Sequence, residues 1–229
     1  MIAPLLLFTA FALFDEPKKP VDDFKPEAGW KDLSKGAKTV WFDPKERKLI
    51  LRARVVLQKG ALEFFMCKTN SKEHESILAT DAPPRLIHAG LILTGAEPGR
   101  PVRFQPKFEP PTGSKIDIEL QWKDSKGKLQ HAKAREWVKQ ARSGKVLKVD
   151  WVFAGSYEGE DPETKEKFYA ADSGDLFSVS NFPSAILDLP LSSSADNADL
   201  VFIANSDAVP PEGTKVLVIM SPLKEEKKK

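Results

Sequence analysis

The chain has 229 residues, of which 41% are hydrophobic and 30% are charged, and its 35 Lys and Arg residues nearly balance its 33 Asp and Glu residues. This composition is typical of a soluble globular protein and excludes a disordered chain or one made mainly of membrane spans. No basic patch interleaved with aromatic residues is present, so nucleic acid is not an expected partner. The length allows one large domain or two small ones.

The beginning of the chain predicts an export signal. Residues 2–14 are apolar and uncharged but too few to span a bilayer, and residues 10–12 (AFA) offer a small-x-small cleavage pattern. We therefore expect a signal sequence over residues 1–12, with a hydrophobic N-terminal strand as the alternative, because no Lys or Arg precedes the apolar run. The protein would then be exported, as a periplasmic or envelope-associated protein, and would contact the membrane only through an uncleaved N-terminal segment.

Composition divides the remaining sequence into three parts. Residues 13–38 are rich in Pro and Lys and predict a linker, and residues 223–229 predict a charged tail. Residues 39–222 predict a single β-rich domain, with a possible subdomain seam near residues 106–113, where Pro and Gly cluster. A single cysteine excludes an internal disulfide, so burial of a core must stabilise this domain.

Short β-strands dominate the predicted domain. In residues 48–57, Leu49 and the following odd-numbered residues alternate with an even-numbered set, so the odd set is expected to face the core. The other predicted strands cover residues 40–42, 62–67, 76–80, 116–122, 130–138, 149–156, 167–170, 176–180, 200–203 and 215–220. Many short strands with a single helix predict an α+β protein, mainly β, built from antiparallel sheets or a sandwich.

The one predicted helix covers about residues 82–95 and is expected to pack against the core. Asp81 is a candidate N-cap, two prolines suit the first turn, and Gly95 ends the pattern. The face expected to be buried consists of Leu86, Ile87, Ala89, Gly90, Leu91 and Leu93.

Residues 66–78 (MCKTNSKEHESIL) contain the candidate reactive groups, since they hold the only cysteine, Cys67, and one of three histidines, His74. With His88 from the helix they would supply three zinc ligands and leave one position open, and Glu75 would orient a histidine or act as a base. Alternatively, His74 would lower the pKa of the Cys67 thiol and make it a nucleophile.

The spacing within the same segment favours a structural interpretation. The separations of the three candidates match no motif in which one element presents two metal ligands, and Leu78 stands where an HExxH motif needs its second histidine. The apolar residues before Cys67 indicate burial, and Asn70 with Glu73 has a spacing typical of a cap. The segment is therefore also predicted as a junction between a strand and the helix.

Two further polar segments are interpreted as structural. Residues 180–184 (SNFPS) lack the glycines that flank a serine nucleophile, so a capped corner is expected, with Asp188 exposed near its edge. Residues 157–164 (YEGEDPET) lack the spacing of a calcium loop and predict a solvated loop. His131 is expected on the surface of a strand.

Several segments, in order along the chain, resemble bacterial exported proteins with a YdjY-like domain. They are KEHES (72–76), the helix with His88, GAEPG (95–99), EWV (136–138), WVFAGS (151–156), VSNFPS (179–184), LDLP (187–190) and PPEGT (210–214). The resemblance covers residues 39–222 and implies an exported domain without implying a reaction. Some proteins of that name are described as ferredoxin-like, but an iron–sulfur cluster needs several cysteine ligands and this chain has one.

These observations predict a non-catalytic binding or assembly module of the cell envelope, without a cofactor, whose partner is a protein or another envelope ligand. The alternative is a zinc-dependent or thiol enzyme centred on Cys67, His74 and His88, with Glu75 beside them.

Overall fold

The structure is a computed structural model that describes residues 26–191 and 201–223. The predicted signal sequence (1–12), the first part of the predicted linker (13–25) and the tail from residue 224 onward lie outside these residues. Within the described residues, no helix is both long enough and apolar enough to cross a membrane.

The described chain is mainly β with one α-helix, as the sequence predicts. The strands are β1 (Lys31–Asp32), β2 (Val40–Asp43), β3 (Lys48–Val55), β4 (Ala61–Leu62), β5 (Phe64–Lys68), β6 (Ser76–Thr80), β7 (Lys115–Lys123), β8 (Leu129–Lys133), β9 (Val138–Gln140), β10 (Trp151–Phe153), β11 (Glu158–Glu160), β12 (Lys167–Tyr169), β13 (Asp175–Ser178), β14 (Leu187–Asp188), β15 (Phe202–Ala204) and β16 (Lys215–Pro222). The helix is α1 (Pro84–Thr94), and 3₁₀ turns cover Glu73–Glu75, Ala134–Trp137 and Ala170–Ser173.

Eight of the strands form a closed barrel in the order β3–β16–β7–β10–β14–β13–β5–β6. Strand β6 returns to β3 through the pairs Arg54↔Ala79 and Val55↔Leu78. The prediction of antiparallel sheets or a sandwich is therefore wrong in this respect, and two neighbouring pairs, β5–β6 and β13–β14, are parallel. The alternation of residues along a strand indicates which face of the strand is buried but not which strands pair with each other. Closure of the barrel therefore cannot be predicted from this pattern.

The long strand β3 shows how the alternating pattern builds the core. Its predicted inward set is confirmed in the main core and comprises Leu49, Leu51, Ala53 and Val55. Ile50 points to the opposite face, where it packs with Trp41 and Ile219 in a small second cluster. Both faces of this strand are therefore covered, which explains the apolar residues among its even-numbered positions.

Ordered pairing begins inside the predicted linker (13–38). Strand β1 pairs antiparallel with β2, and Trp30 packs against the second cluster beside Trp41 and Ile50. The fold therefore includes residues before position 39.

The N-terminal end of α1 differs from the prediction, and the C-terminal end agrees with it. The helix begins after Pro83, which provides no side-chain cap, so the predicted cap by Asp81 is wrong. Gly95 ends the helix as predicted: it adopts a left-handed conformation (φ 93°), and its N–H bonds to the carbonyl oxygen of Ile92.

The buried face of α1 is rotated from the predicted one. Its buried residues are Pro84, Ile87, Gly90, Leu91 and Thr94. The expected Ala89 and Leu93 are exposed instead, as is Ile92. A Cβ atom on Gly90 would lie 2.4 Å from Cδ1 of Leu49, so the helix backbone packs directly on β3. This rotation turns Ala89 and Ile92 away from the core.

The loop that follows α1 is attached to β10. Gly99 donates a backbone hydrogen bond to the carbonyl oxygen of Phe153 (2.9 Å), and Pro98 bridges Gly113. Residues 106–113, where a subdomain seam was predicted, belong to this attached loop.

Candidate functional site

Cys67 lies in β5 with no exposed surface. Burial raises the pKa of its thiol, although hydrogen bonds from the Ser76 and Ser71 side chains act in the opposite direction. The thiolate is the nucleophilic form of cysteine, so these surroundings disfavour the reactive species.

His74 lies on the surface turn that follows β5. Its side chain is 78% exposed, and its nearest ionic partner is the Glu75 carboxylate at 3.7 Å. The same turn is held by Glu73, whose carboxylate accepts hydrogen bonds from the backbone N–H of Asn70 and from Arg54, both at 2.9 Å. The cap-like spacing of Asn70 and Glu73 is therefore confirmed as a structural feature.

His88 contacts neither of the other two candidates and packs against Phe153 and Tyr169. Among residues 26–191 and 201–223, no three His, Cys, Asp or Glu side chains are grouped so that they could hold a metal ion. The structure thus leaves His74 in solvent and Cys67 in the core, and His88 borders a cleft elsewhere.

That cleft has a volume of about 380 Å³ and separates α1 from the chain that follows β10. Its size falls in the range of pockets that bury small ligands. The helix contributes Arg85, His88, Ala89 and Ile92, and the opposite wall is formed by residues 155–158 with Tyr169.

The hydroxyl of Tyr169 joins the two walls. It donates a hydrogen bond to the carbonyl oxygen of Gly155 (3.1 Å) and lies 2.9 Å from Nδ1 of His88. Burial lowers the pKa of His88, so the imidazole is uncharged at neutral pH. Burial also raises the pKa of Tyr169, so the phenol keeps its proton.

Arg85 holds one end of the cleft together. Its guanidinium pairs with Glu158 of β11 and with Asp172 of the third 3₁₀ turn, each at 3.2 Å, and lies 5.0 Å from the centre of the Tyr169 ring. All three charged side chains are largely exposed, so these pairs contribute little stability. Their consequence for the cleft is that its cation is already paired.

Two consecutive residues of the opposite wall, Gly155 and Ser156, have a positive φ angle. Gly155 adopts φ 89°, which favours glycine, and a Cβ atom there would lie only 3.1 Å from Cβ of Pro98. Ser156 adopts φ 58°, unusual for a residue with a side chain, and its Oγ accepts a hydrogen bond from the N–H of Ala171. Backbone strain of this kind often accompanies functional sites.

The sequence profile of the YdjY domain matches residues 40–221, most of the chain. The chain belongs to the YdjY domain family. No curated protein and no solved structure matches it.

Sequence reasoning found one residue of this YdjY cleft and missed the rest. It singled out His88, but as a partner of Cys67 and His74. Tyr169 was predicted only as part of a strand, and Arg85 only as part of a helix. The available signal was the Gly155–Ser156 pair directly after an apolar strand, since a glycine in such a place indicates close approach of another group.

Residues 180–184 of the YdjY domain form a hydrogen-bonded corner, as predicted. Asn181 adopts φ 63°, and its side-chain amide donates to Asp188 Oδ1 (3.2 Å) and to the carbonyl oxygen of Leu189 (2.9 Å). Asp188 is fully buried, so the expectation that it is exposed is wrong. Burial raises the pKa of Asp188 to about 7.

A second polar cluster ties this corner to the junction after β5. The ammonium of Lys72 lies 2.9 Å from Asp175 Oδ1 and within 5 Å of the ring centres of Phe64 and Phe182. Ser184 donates a short hydrogen bond to the other oxygen of Asp175. Every member of the cluster has a partner within it, so its role is to link segments.

A further concavity lies beside Lys133 and Arg135 but has room for only about one water molecule, roughly 10 Å³. Ion pairs from Lys133 to Asp117 and from Arg135 to Asp150 line it. The cleft beside α1 is therefore the better candidate for a ligand.

Proposed function

We propose that this YdjY domain is an exported, non-catalytic binding module of the cell envelope that holds its ligand in the cleft beside α1. The observation that carries the proposal is the cleft of about 380 Å³ in which an uncharged histidine, a paired arginine and exposed apolar side chains meet. A few polar groups in a mainly apolar concavity are the usual composition of a small-ligand site.

The groups around the cleft support binding better than catalysis. A nucleophilic enzyme needs an activated nucleophile within hydrogen-bonding reach of a base. The Tyr169 hydroxyl lies within reach of His88, but burial raises the pKa of Tyr169 and keeps the phenol protonated. The serine that lines the cleft, Ser156, is buried, and its Oγ accepts a hydrogen bond from Ala171. Cys67 is in the core and does not line the cleft.

Export rests on the apolar run at residues 2–14 with its AFA pattern, followed by the Pro- and Lys-rich segment. Residues 1–38 fused to a phosphatase reporter that is active only outside the cytoplasm are expected to give activity. The same fusion with Leu5, Leu6 and Leu7 changed to Asp is expected to be inactive; equal activity from the two fusions would contradict export.

The binding proposal is tested by screening a chemically mixed fragment library against ¹⁵N-labelled protein by NMR. We expect some fragments to shift the amide signals of residues 85–92 and 155–158 together. Ala89→Trp, which fills the cleft from its exposed wall, is expected to abolish these shifts, whereas Leu129→Trp, at an exposed position on β8, is expected to keep them. Binding that persists in Ala89→Trp would show that the fragments bind outside the cleft.

A further inference from the structure

We infer that the loop between α1 and β7 contacts a membrane, and that its tip places Phe104 and Phe108 in the interfacial region of a bilayer containing anionic lipids. This inference goes beyond the proposed binding function, because it concerns a surface that does not line the cleft. Three features lead to it: the shape of the loop, the side chains at its tip, and the position of the chain ends beside its base.

Residues 97–114 form a narrow hairpin, the arm. Backbone pairing joins its two sides at four levels: Glu97 with Ser114, Pro98 with Gly113, Arg100 with Thr112, and Arg103 with Glu109. At the last of these levels, the N–H of each residue donates to the carbonyl oxygen of the other, at 3.0 and 2.7 Å. Residues 104–108 are therefore a short tip at the end of an ordered, paired segment.

The tip exposes aromatic side chains that the core does not use. Phe104 is 40% exposed, and its ring centre lies 6.0 Å from that of Phe108. Neither ring belongs to the two core clusters of the described residues, and residues 105–107 between them are exposed. Exposed apolar groups with a polar rim are typical of surfaces that contact a protein or a membrane.

The charges of the arm favour an anionic surface. Arg100 and Arg103 are exposed and pair with the same carboxylate, that of Glu109, so two guanidinium groups share one negative charge. Lys107 adds an exposed cation at the tip itself. Basic residues next to exposed apolar ones are the combination that binds anionic lipid, since the cations attract the headgroups while the apolar groups enter the interface.

Both ends of the described chain lie beside the base of the arm. The backbone N–H of Leu223 donates to the carbonyl oxygen of Lys115 (2.8 Å), the residue that follows the arm. One row of paired residues crosses the sheet through Lys31, Phe42, Leu49, Met220 and Ile118. The chain before β1 and the chain after β16 therefore leave the barrel at the end that carries the arm.

The sequence outside the described residues favours a lipid surface over a protein as the partner of the arm. Residues 15–25 separate the apolar run at residues 2–14 from the described chain and span at most about 40 Å when extended. An uncleaved apolar run held in a bilayer would keep this end of the barrel close to the membrane. Residues 224–229 (KEEKKK) begin beside the base of the arm and have more Lys than Glu, so they add positive charge there.

The position of the tip is tested by nitroxide labels on the full chain in vesicles of phosphatidylcholine with roughly 30% phosphatidylglycerol. The labelled variants are Gln105→Cys, at the tip, and Lys126→Cys, in the turn between β7 and β8 at the opposite end of the barrel, both with Cys67→Ala. On addition of vesicles, we expect the label at position 105 to become at least about fivefold less accessible to a polar nickel complex. The label at position 126 should not change, and equal accessibility at both positions would overturn the inference.

The contribution of individual side chains is measured by partition into the same vesicles. Leu5, Leu6 and Leu7 are changed to Asp in every protein, so that the apolar run does not anchor the chain. Phe104→Ser is expected to weaken partition at least about fivefold, and Phe104→Trp is expected to retain it. Lys107→Gln should weaken it about fivefold in anionic vesicles and have no effect in phosphatidylcholine alone.

Leu129→Ser is the matched control, since it removes a similarly exposed apolar side chain from β8 and should leave partition unchanged. Equal partition by Phe104→Ser and Leu129→Ser would overturn the inference and favour a protein as the partner of the tip. Absence of partition into anionic vesicles would overturn it as well. Neither result bears on ligand binding in the cleft, because the arm tip and the cleft have no residue in common.

Discussion

Nδ1 of His88 lies 2.9 Å from the hydroxyl of Tyr169, although the two residues are 81 positions apart in the chain. His88 comes from the helix and Tyr169 from a short strand outside the barrel, and the loop at Gly155 lies between them. The contact therefore fixes the distance between the two walls of the cleft.

Asp188→Asn is expected to remove a pH dependence of stability. Burial raises the pKa of Asp188 to about 7 from an ordinary value of 3.8, so the folded protein holds an extra proton between these values. Its free energy of unfolding should therefore fall as pH rises from 4 to 7, by roughly 2–4 kcal/mol from this group. Guanidinium unfolding at pH 5 and pH 8 checks this. Relative to the unaltered protein, the variant should have a higher free energy of unfolding at pH 8 than it has at pH 5. An equal difference in free energy between the two proteins at both pH values would refute the prediction.

Gly90→Val is expected to destabilise the protein by about 1–3 kcal/mol. A Cβ atom at this position would lie 2.4 Å from Cδ1 of Leu49, so the helix must move away from β3. Ala89→Val is the matched control, since it places the same side chain on the exposed face of the same helix. Chemical denaturation should show a larger loss for Gly90→Val, and equal losses would mean that helix propensity alone is responsible.

Lys72→Met is expected to cost about 1–3 kcal/mol, because it leaves the buried carboxylate of Asp175 without its cation. The double variant Lys72→Met/Asp175→Asn should recover part of that loss in the same unfolding measurement. Lys139→Met breaks a pair with the exposed Asp207 and should cost less than about 1 kcal/mol. A similar cost for the two lysines would show that burial of the first pair is unimportant.

Cys67 is expected to react with a thiol reagent at least about a hundredfold more slowly in the native protein than in guanidinium. Its side chain has no exposed surface, and opening of a core strand costs several kcal/mol. The reaction is followed by absorbance, with the unfolded protein as the reference for complete modification. A native rate equal to the unfolded rate would show that the thiol is accessible and reopen the thiol hypothesis.

The parts of the fold that depend on local pattern were predictable. The alternation in β3 identified its core face, and Gly95 marked the end of the helix. Barrel closure depends on pairs such as Val55 with Leu78, which periodicity does not reveal. The buried face of α1 was misjudged because Ile87, Leu91 and Leu93 are equally apolar, and tertiary packing decides between overlapping stripes.

The candidate site was less predictable than the fold, because it depends on contacts between distant segments. His88 was found from its residue type, but its partner Tyr169 has no local relationship to it in the sequence. Cys67 and His74 were considered together because they are close in the sequence. One lies in a buried strand and the other on the exposed turn that follows it, so their side chains have different surroundings. Pairing of Asn70 with Glu73 was predictable because it is local.

The pairing of β16 with β3 has a mechanical consequence. Met220 lies opposite Leu49, and Trp30 shares a small cluster with Ile219, so the two ends of the described domain leave the barrel at the same end. A pull applied through both ends would load the terminal strands β1 and β16 first, before the strands on the far side of the barrel. A fluorescent donor and acceptor attached at the two ends should consequently report high energy transfer in the folded state, which provides a direct readout of unfolding.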